Sequence, residues 1–409
     1  MTPNPAADLR RHWNLDPEVL FLNHGSFGAC PEPILKKQGE WARRLEREPV
    51  LFMHREIEKH LEQARDVLAK FVGAQGDDLA FVVNATAGVN TVLRSLKFAP
   101  GDELLTTDQE YNASRNALDF VAQLHGAKVT VAAIFFSIES LDVVVERILA
   151  KVTAKTKLAL VDHISSPTGL VFPLEKIVRA LAAKGVDTLV DGAHGPGQVD
   201  LKLDELGAAY YTGNCHKWLC TPKGSALLHV RRDRQERIRP LAISHGANSK
   251  RTDRSRFRLE FDWLGTFDPT PWLVIPDAID FLGSLFPAAH GETDGFAALR
   301  RHNHELAMHG RAKLLDALQL APPCPESMVG SLAAVVLPDR RDADAKAEMD
   351  PLHLQLFEKH HIEVPLPAWP APPKRLLRIS AQAYNVPAEY ERLAAVLPVL
   401  LDAGTLQRS

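Results

Sequence analysis

The chain predicts an α/β protein: a large domain with a mostly parallel sheet sandwiched by helices, then a smaller α+β domain. Three observations carry this. Between Glu103 and Val230, short apolar runs alternate with helical stretches at the spacing of a parallel sheet covered on both faces. The polar clusters of this region fall just after predicted strands, the edge where such sheets bind ligands. Past Pro269–Pro271 the alternation stops, and two strand-like runs flank a helix instead.

Taken in order, residues 1–20 begin with a polar, proline-bearing lead-in, expected to pack on the small domain. The large domain is expected at 21–285 and the small one at 286–409. Asn23–His24–Gly25–Ser26–Phe27–Gly28 follows an apolar run and reads as a glycine-marked turn. Pro33 to Val72 is helical in pattern with a break at Pro49, and Ile57, Leu61, Ala64 and Leu68 form an apolar stripe. Strands are predicted at Leu79–Val83, Glu103–Thr107, Lys128–Ile134, Leu158–Val161, Thr188–Val190, Ala208–Thr212 and Ser225–Val230. The spacing predicts helices after Gly88 and over Ser114–Leu124, Leu141–Ala150 and Leu174–Lys184. Further on come helices around Trp272–Leu285 and Phe296–Leu318, strands at Leu332–Leu337 and Leu376–Ser380 about a helix at Leu352–His360, and a last helix over Pro387–Leu401.

Bulk properties exclude several classes. With 409 residues, 45% hydrophobic and 24% charged, the chain is an ordinary globular protein. A formal net charge of −3 suggests no polyanion partner, so no nucleic acid is expected. The run Lys250–Arg258 reads as a solvated basic loop, or else a loop facing an anionic substrate. Four cysteines are too few for a disulfide scaffold, no signal sequence opens the chain, and no run of about 18 apolar residues occurs. A cytoplasmic protein without a membrane span is expected. His302, His304, His360 and His361 lack companion ligands, so no metal is expected.

The chemistry gathers around Tyr210–Trp218. Lys217, flanked by His216 and Trp218 after an apolar run, is an odd place for an ammonium group. Upstream, Asp191 ends a short apolar strand, with His194 three residues on. A lysine that bonds a carbonyl and an aspartate that holds a pyridinium nitrogen together serve an aldehyde cofactor; Asp191 could equally cap the next turn. Asn84–Ala85–Thr86–Ala87–Gly88 opens a helix and suits a phosphate, or a simple N-cap. Tyr111 could stack on a flat ring or merely pack. Ser165–Ser166 lie at a turn and offer hydroxyls. Arg378, inside an apolar strand, could bind a carboxylate bidentately or make a structural ion pair.

Together the ordered set Asn84–Ala85–Thr86, Tyr111, Ser165–Ser166, Asp191–His194, His216–Lys217 and Arg378 resembles the class V aminotransferases among fold-type I pyridoxal phosphate enzymes. Leu22–Gly28, Asp162–Ser166, Asp191–His194 and Gly213–Trp218 look most like the isopenicillin N epimerase branch. The resemblance implies an aspartate aminotransferase-like fold with a seven-stranded sheet and pyridoxal 5'-phosphate as cofactor. It implies that Lys217 bonds the cofactor and moves the Cα proton, Asp191 pairs with the ring nitrogen and Tyr111 covers the ring. His194 and either Ser165 or Ser166 would hold the ring oxygen. Ala85, Thr86, Asn214 and His216 would hold the phosphate, completed by Gly265–Thr266 from a second subunit of a homodimer with shared active sites. Arg378, with Asn23 or His24 beside it, would bind an α-amino acid substrate. Epimerisation is the reaction implied first, with C–S lyase, transamination or a catalytically silent cofactor-binding protein as alternatives. Cysteine desulfurases of the family carry a nucleophilic cysteine before the carboxylate arginine, and Ser327 to Arg378 contains none.

Overall fold

A computed structural model describes residues 9–287, 295–340 and 349–406. Its centre is a seven-stranded sheet in the order β2-β8-β7-β6-β5-β3-β4. The strands are β2 (Leu79–Val82), β3 (Glu103–Thr107), β4 (Lys128–Ala132), β5 (Thr156–Asp162), β6 (Asp187–Asp191), β7 (Tyr210–Asn214) and β8 (Ala226–Val230). Only β8 runs against its neighbours. The middle strands are buried along nearly their whole length because helices cover both faces, which is why they read as apolar runs without polar alternation. Where each run ends, the next side chain is polar. Asp162 at the end of β5 lies in register with Asp191 at the end of β6, and β7 ends at Asn214.

A second sheet pairs β9 (Leu332–Leu337) antiparallel with β11 (Arg375–Ser380), and the helices Gly295–Leu318 and Pro387–Leu406 pack together beside it. Between these strands lie the helix Pro351–His360 and β10 (Ile362–Glu363). β1 (Leu20–Phe21) pairs parallel with β10, so the start of the chain is stitched to this second sheet region. Trp13 packs edge-on against Tyr384 at 5.1 Å and Phe281 at 6.0 Å, and Arg10 pairs with Glu389 at 3.1 Å. The first eight residues of the predicted lead-in lie outside the described residues.

Two expectations change. The helix expected over Trp272–Leu285 is two pieces, Thr270–Leu273 and Ile275–Gly283, the second opening with Pro276 in its first turn. The solvated basic loop is partly a helix, Arg256–Phe261, capped by the Ser255 hydroxyl. Arg258 is buried between Asp77 at 2.8 Å and Asp262 at 3.3 Å, while Arg251 pairs with Glu58 and Asp253. Asp77 and Glu58 lie far off in sequence, so the run reads locally as an excess of unpaired positive charge. Among the described residues, no helix is long and apolar enough to cross a membrane.

Candidate active site

Lys217 sits in the short helical turn Cys215–Trp218 that immediately follows β7. The turn Asn23–Gly28 presses against it. Gly28 has φ +71°, and a Cβ there would stand 2.1 Å from the His216 carbonyl oxygen, so only glycine closes this contact. His24 is buried beneath the lysine: its Nε2 donates to the Lys217 carbonyl at 3.0 Å and its Nδ1 accepts from Tyr384 Oη at 2.8 Å. Burial, with the Arg378 charge behind it, lowers the Lys217 ammonium to about 7 against a weaker opposing pull from Asp191. The amine is thus substantially unprotonated near neutrality, the state a nucleophilic lysine needs.

His194 fixes how that amine is met. Trp218 Nε1 can only donate, and it points at His194 Nδ1 at 3.2 Å. Burial, reinforced by Lys217 and Arg378, keeps the imidazole neutral. With Nδ1 accepting, the ring proton sits on Nε2, 3.1 Å from Lys217 Nζ. His194 is therefore a donor aimed into the cavity. Trp218→Phe removes the bond that selects this tautomer, at a cost of about 0.5–1.5 kcal/mol. We expect a several-fold weaker cofactor affinity with little loss of fold, measured by absorbance titration.

Asp191 is buried at the end of β6, where Ser114 Oγ donates to Oδ2 at 2.6 Å and the Ala193 amide to Oδ1 at 3.1 Å. No cation pairs with it among the described residues, so a buried carboxylate is held ready for one. A pyridinium N–H fits that vacancy in charge.

The other end of the cavity suits an anion. The helix Ala85–Ser95 opens there, with Asn84 Oδ1 taking the Ala87 amide at 2.8 Å and Asn214 Oδ1 taking the Ala85 amide at 2.8 Å. Thr86, with its amide and hydroxyl, is left for a ligand. Gly88 lets this helix lie against β7, since a Cβ there would meet Thr212 Oγ1 at 2.1 Å. His216 donates from Nδ1 to the Ser225 carbonyl at 3.0 Å, turning Nε2 to the cavity, and burial lowers it to about 4. Lys223, which sequence reasoning missed, also lines this end and donates to the Gly28 carbonyl at 2.9 Å. The cavity encloses about 320 Å³, and Tyr111, Ser166, Asp162 and Ser26 complete its wall.

A second cavity of about 650 Å³ adjoins it, sharing Ser26, Tyr111 and Ser166. Arg378 opens onto it. Its Nη1 donates to the Ser166 carbonyl and hydroxyl, its Nη2 to Ser26 Oγ at 3.2 Å, and its buried Nε has no partner. No carboxylate pairs with Arg378 among the described residues, and burial lowers even this guanidinium to about 10. A buried guanidinium braced by two hydroxyls and a carbonyl, with no anion on it, has the charge and geometry to take a carboxylate.

Several sequence-predicted residues stand back from the cavities. Ser165 is turned inward, its hydroxyl on Gln109 Oε1 at 2.8 Å, so Ser166 is the serine at the wall. Asn23 donates to Glu363 at 2.8 Å and accepts from Ser26 at 2.5 Å, and it positions Ser26; like His24, it lines neither cavity. Gly265 and Thr266 are absent from both walls within one chain, and Thr266 is exposed. Among the described residues, the one cluster with metal-ligand spacing, Asp78, Asp204 and His229, lies away from both cavities, and Asp78 Oδ1 is already taken by Arg232 at 2.7 Å and Gln235 at 2.6 Å.

A lysine of lowered basicity after β7, an unpaired aspartate after β6, an anion site at a helix start and a free guanidinium define a fold-type I pyridoxal phosphate enzyme. Comparison with known proteins agrees. Residues 32–393 match the sequence model described as Aminotransferase class-V, and the chain belongs to that family, whose cofactor is pyridoxal phosphate. It is 35% identical to an isopenicillin N epimerase of Amycolatopsis lactamdurans, over 96% of this chain and 98% of that one. It is 29% identical to a probable chloroplastic L-cysteine desulfhydrase of Arabidopsis thaliana, over 95% of this chain and 84% of that one. Its fold matches the cysteine desulfurase of Thermococcus onnurineus NA1 with a TM-score of 0.78 at 20% identity, over 97% and 98% of the two chains.

Proposed function

We propose that this protein moves the Cα proton of an α-amino acid, with Lys217 as the base and epimerisation as the outcome. The observation that carries this is the buried, weakly basic Lys217 amine within the electrostatic reach of an unpaired Arg378. When bound, pyridoxal phosphate supplies the sink for the electron pair left at Cα. Asp191 would hold the ring nitrogen protonated, His194 Nε2 would donate to the ring oxygen, and Thr86 and Lys223 would bind the phosphate, with His216 donating from Nε2 only as the imidazolium that a bound dianion favours. Tyr111 would cover the ring. Arg378 would fix the substrate carboxylate, and Ser26 and Ser166 hold Arg378 in place. Lys217 Nζ would take the Cα proton, a role worth about 10²–10⁴-fold, and inversion is completed only when a second acid returns a proton to the opposite face of Cα.

The cysteines argue against a persulfide route. None of Cys30, Cys215, Cys220 and Cys324 lines either cavity, and burial raises all four thiols. Instead, Pro365–Pro370 walls the larger cavity just before β11. β-Elimination remains the second reading, favoured by the desulfhydrase relative, because it needs only a leaving group at Cβ beyond the same base. Four free thiols support a reducing cytoplasmic setting. A homodimer is supported by the rim of the smaller cavity, where Phe27 is 74% exposed and Val83 50%, an apolar edge that a second copy bringing Gly265–Thr266 would cover.

In deuterated water, epimerisation predicts Cα deuterium appearing in the inverted amino acid. Keto acid with a released thiol would mark elimination instead. Absence of Cα exchange across a broad panel of amino acids would contradict proton transfer altogether.

A further inference from the structure

Two carboxylates beside the site have no role in the chemistry above. Asp162 ends β5 in register with Asp191, is 2% exposed, lines the cofactor cavity and leaves its Oδ2 without a hydrogen-bond partner. Glu110 approaches from the loop after β3. The Tyr111 amide donates to Glu110 Oε1 at 3.1 Å and also faces the Asp162 carboxylate, so two acids converge on one N–H. Thr106 Oγ1, 3.4 Å from Glu110 Oε2, is too distant to satisfy a second charge well. No basic side chain bonds either carboxylate among the described residues.

We propose that Asp162 and Glu110 form a proton-sharing carboxyl pair, a positioning device that leaves Asp191 as the carboxylate facing the ring nitrogen. A buried carboxylate and the half-buried one beside it, which lines the larger cavity, cannot both ionise cheaply. Burial and the mutual Asp162–Glu110–Asp191 repulsion push both well above the ordinary carboxylate range. The other groups facing them do not offset this: Arg115 acts on Glu110 only weakly and is paired with Asp119 at 2.9 Å, Tyr211, held to His163 Nδ1 at 3.0 Å, stays neutral, and Lys217 and Arg378 stand against Asp191 and the substrate. Through Glu110, the pair also holds the backbone of Tyr111, the ring-covering residue. The consequences for Asp191 and Tyr111 rest on the proposed cofactor geometry; the pairing of the two carboxyls does not.

The pair has a signature in stability that needs no cofactor. A carboxyl that holds its proton more tightly folded than unfolded lowers stability as pH rises from its unfolded value to its folded one. Asp162→Asn supplies the shared hydrogen permanently and removes the Asp162 share of that slope. Thermal melts of the cofactor-free protein between about pH 5 and about pH 9 should therefore show the variant gaining on wild type steadily as pH rises. Glu110→Gln should do the same, because either amide provides the missing donor. A pH-independent difference would mean that the pair holds no extra proton in the folded state, and a variant that loses ground at high pH, or failure of both variants to fold, would mean that ionised carboxylates are required; each would overturn the proposal. Failure of the cofactor reading would leave this trend untouched.

Discussion

Lys217→Ala is expected to abolish Cα proton exchange, lowering it by at least about 10²–10⁴-fold, the value of a positioned base, and to remove the yellow, borohydride-sensitive state of the loaded protein. The fold should persist, since the lysine makes one hydrogen bond through its side chain and its carbonyl contact with His24 survives the substitution. A companion result concerns pH. Burial lowers the wild-type amine to about 7. The free base forms as pH rises through that value, so covalent capture of added pyridoxal phosphate by cofactor-free protein should rise through about pH 7. An ordinary solvated lysine would show that rise near 10.4. Stopped-flow absorbance measures it.

Arg378→Ala should strike the substrate rather than the cofactor. Truncating one side of a buried charged hydrogen-bonded pair costs about 2–5 kcal/mol, which is about 30- to 4000-fold in kcat/KM at 1.4 kcal/mol per tenfold. The loss should fall mainly on KM, with the cofactor spectrum kept. Because the Arg378 charge lowers the Lys217 amine, removing it should also raise that group, moving the pH at which cofactor is captured upward. Arg378→Lys should recover little, since Nη1 and Nη2 serve Ser166 and Ser26 together and an ammonium cannot span both.

Much of this site was legible because strand ends are legible. β3 and β9 were predicted with their observed bounds, and the apolar runs before Asp191 and Asn214 located the edge where the chemistry lies. Lys217, Asp191, Thr86, Ser166 and Arg378 each follow or sit in such a run. The missed residues act across distance. Ser114 looks like any small residue near the start of a helix, yet it bonds Asp191, 77 positions on. Ser26 depends on Asn23 and Arg378, and Lys223 on the turn that carries it back to Gly28. Asp162 looked like part of a motif, and only the register of β5 with β6 sets it beside Asp191. Conversely, Ser165 and Ser166 are equivalent in sequence, and a hydrogen bond to Gln109 decides which turns inward. The basic run failed for the same reason: Asp77 and Glu58 cannot be assigned to it without the fold.

The central claim is that Lys217 is the residue bonded to the cofactor. Reducing the loaded protein with borohydride, digesting it and locating the added pyridoxyl mass by mass spectrometry tests this directly. The predicted result is a single modified site at Lys217 in wild type, absent from Lys217→Ala. A modification at Lys223, which lines the same cavity, or a reducible cofactor that persists in the variant would contradict it.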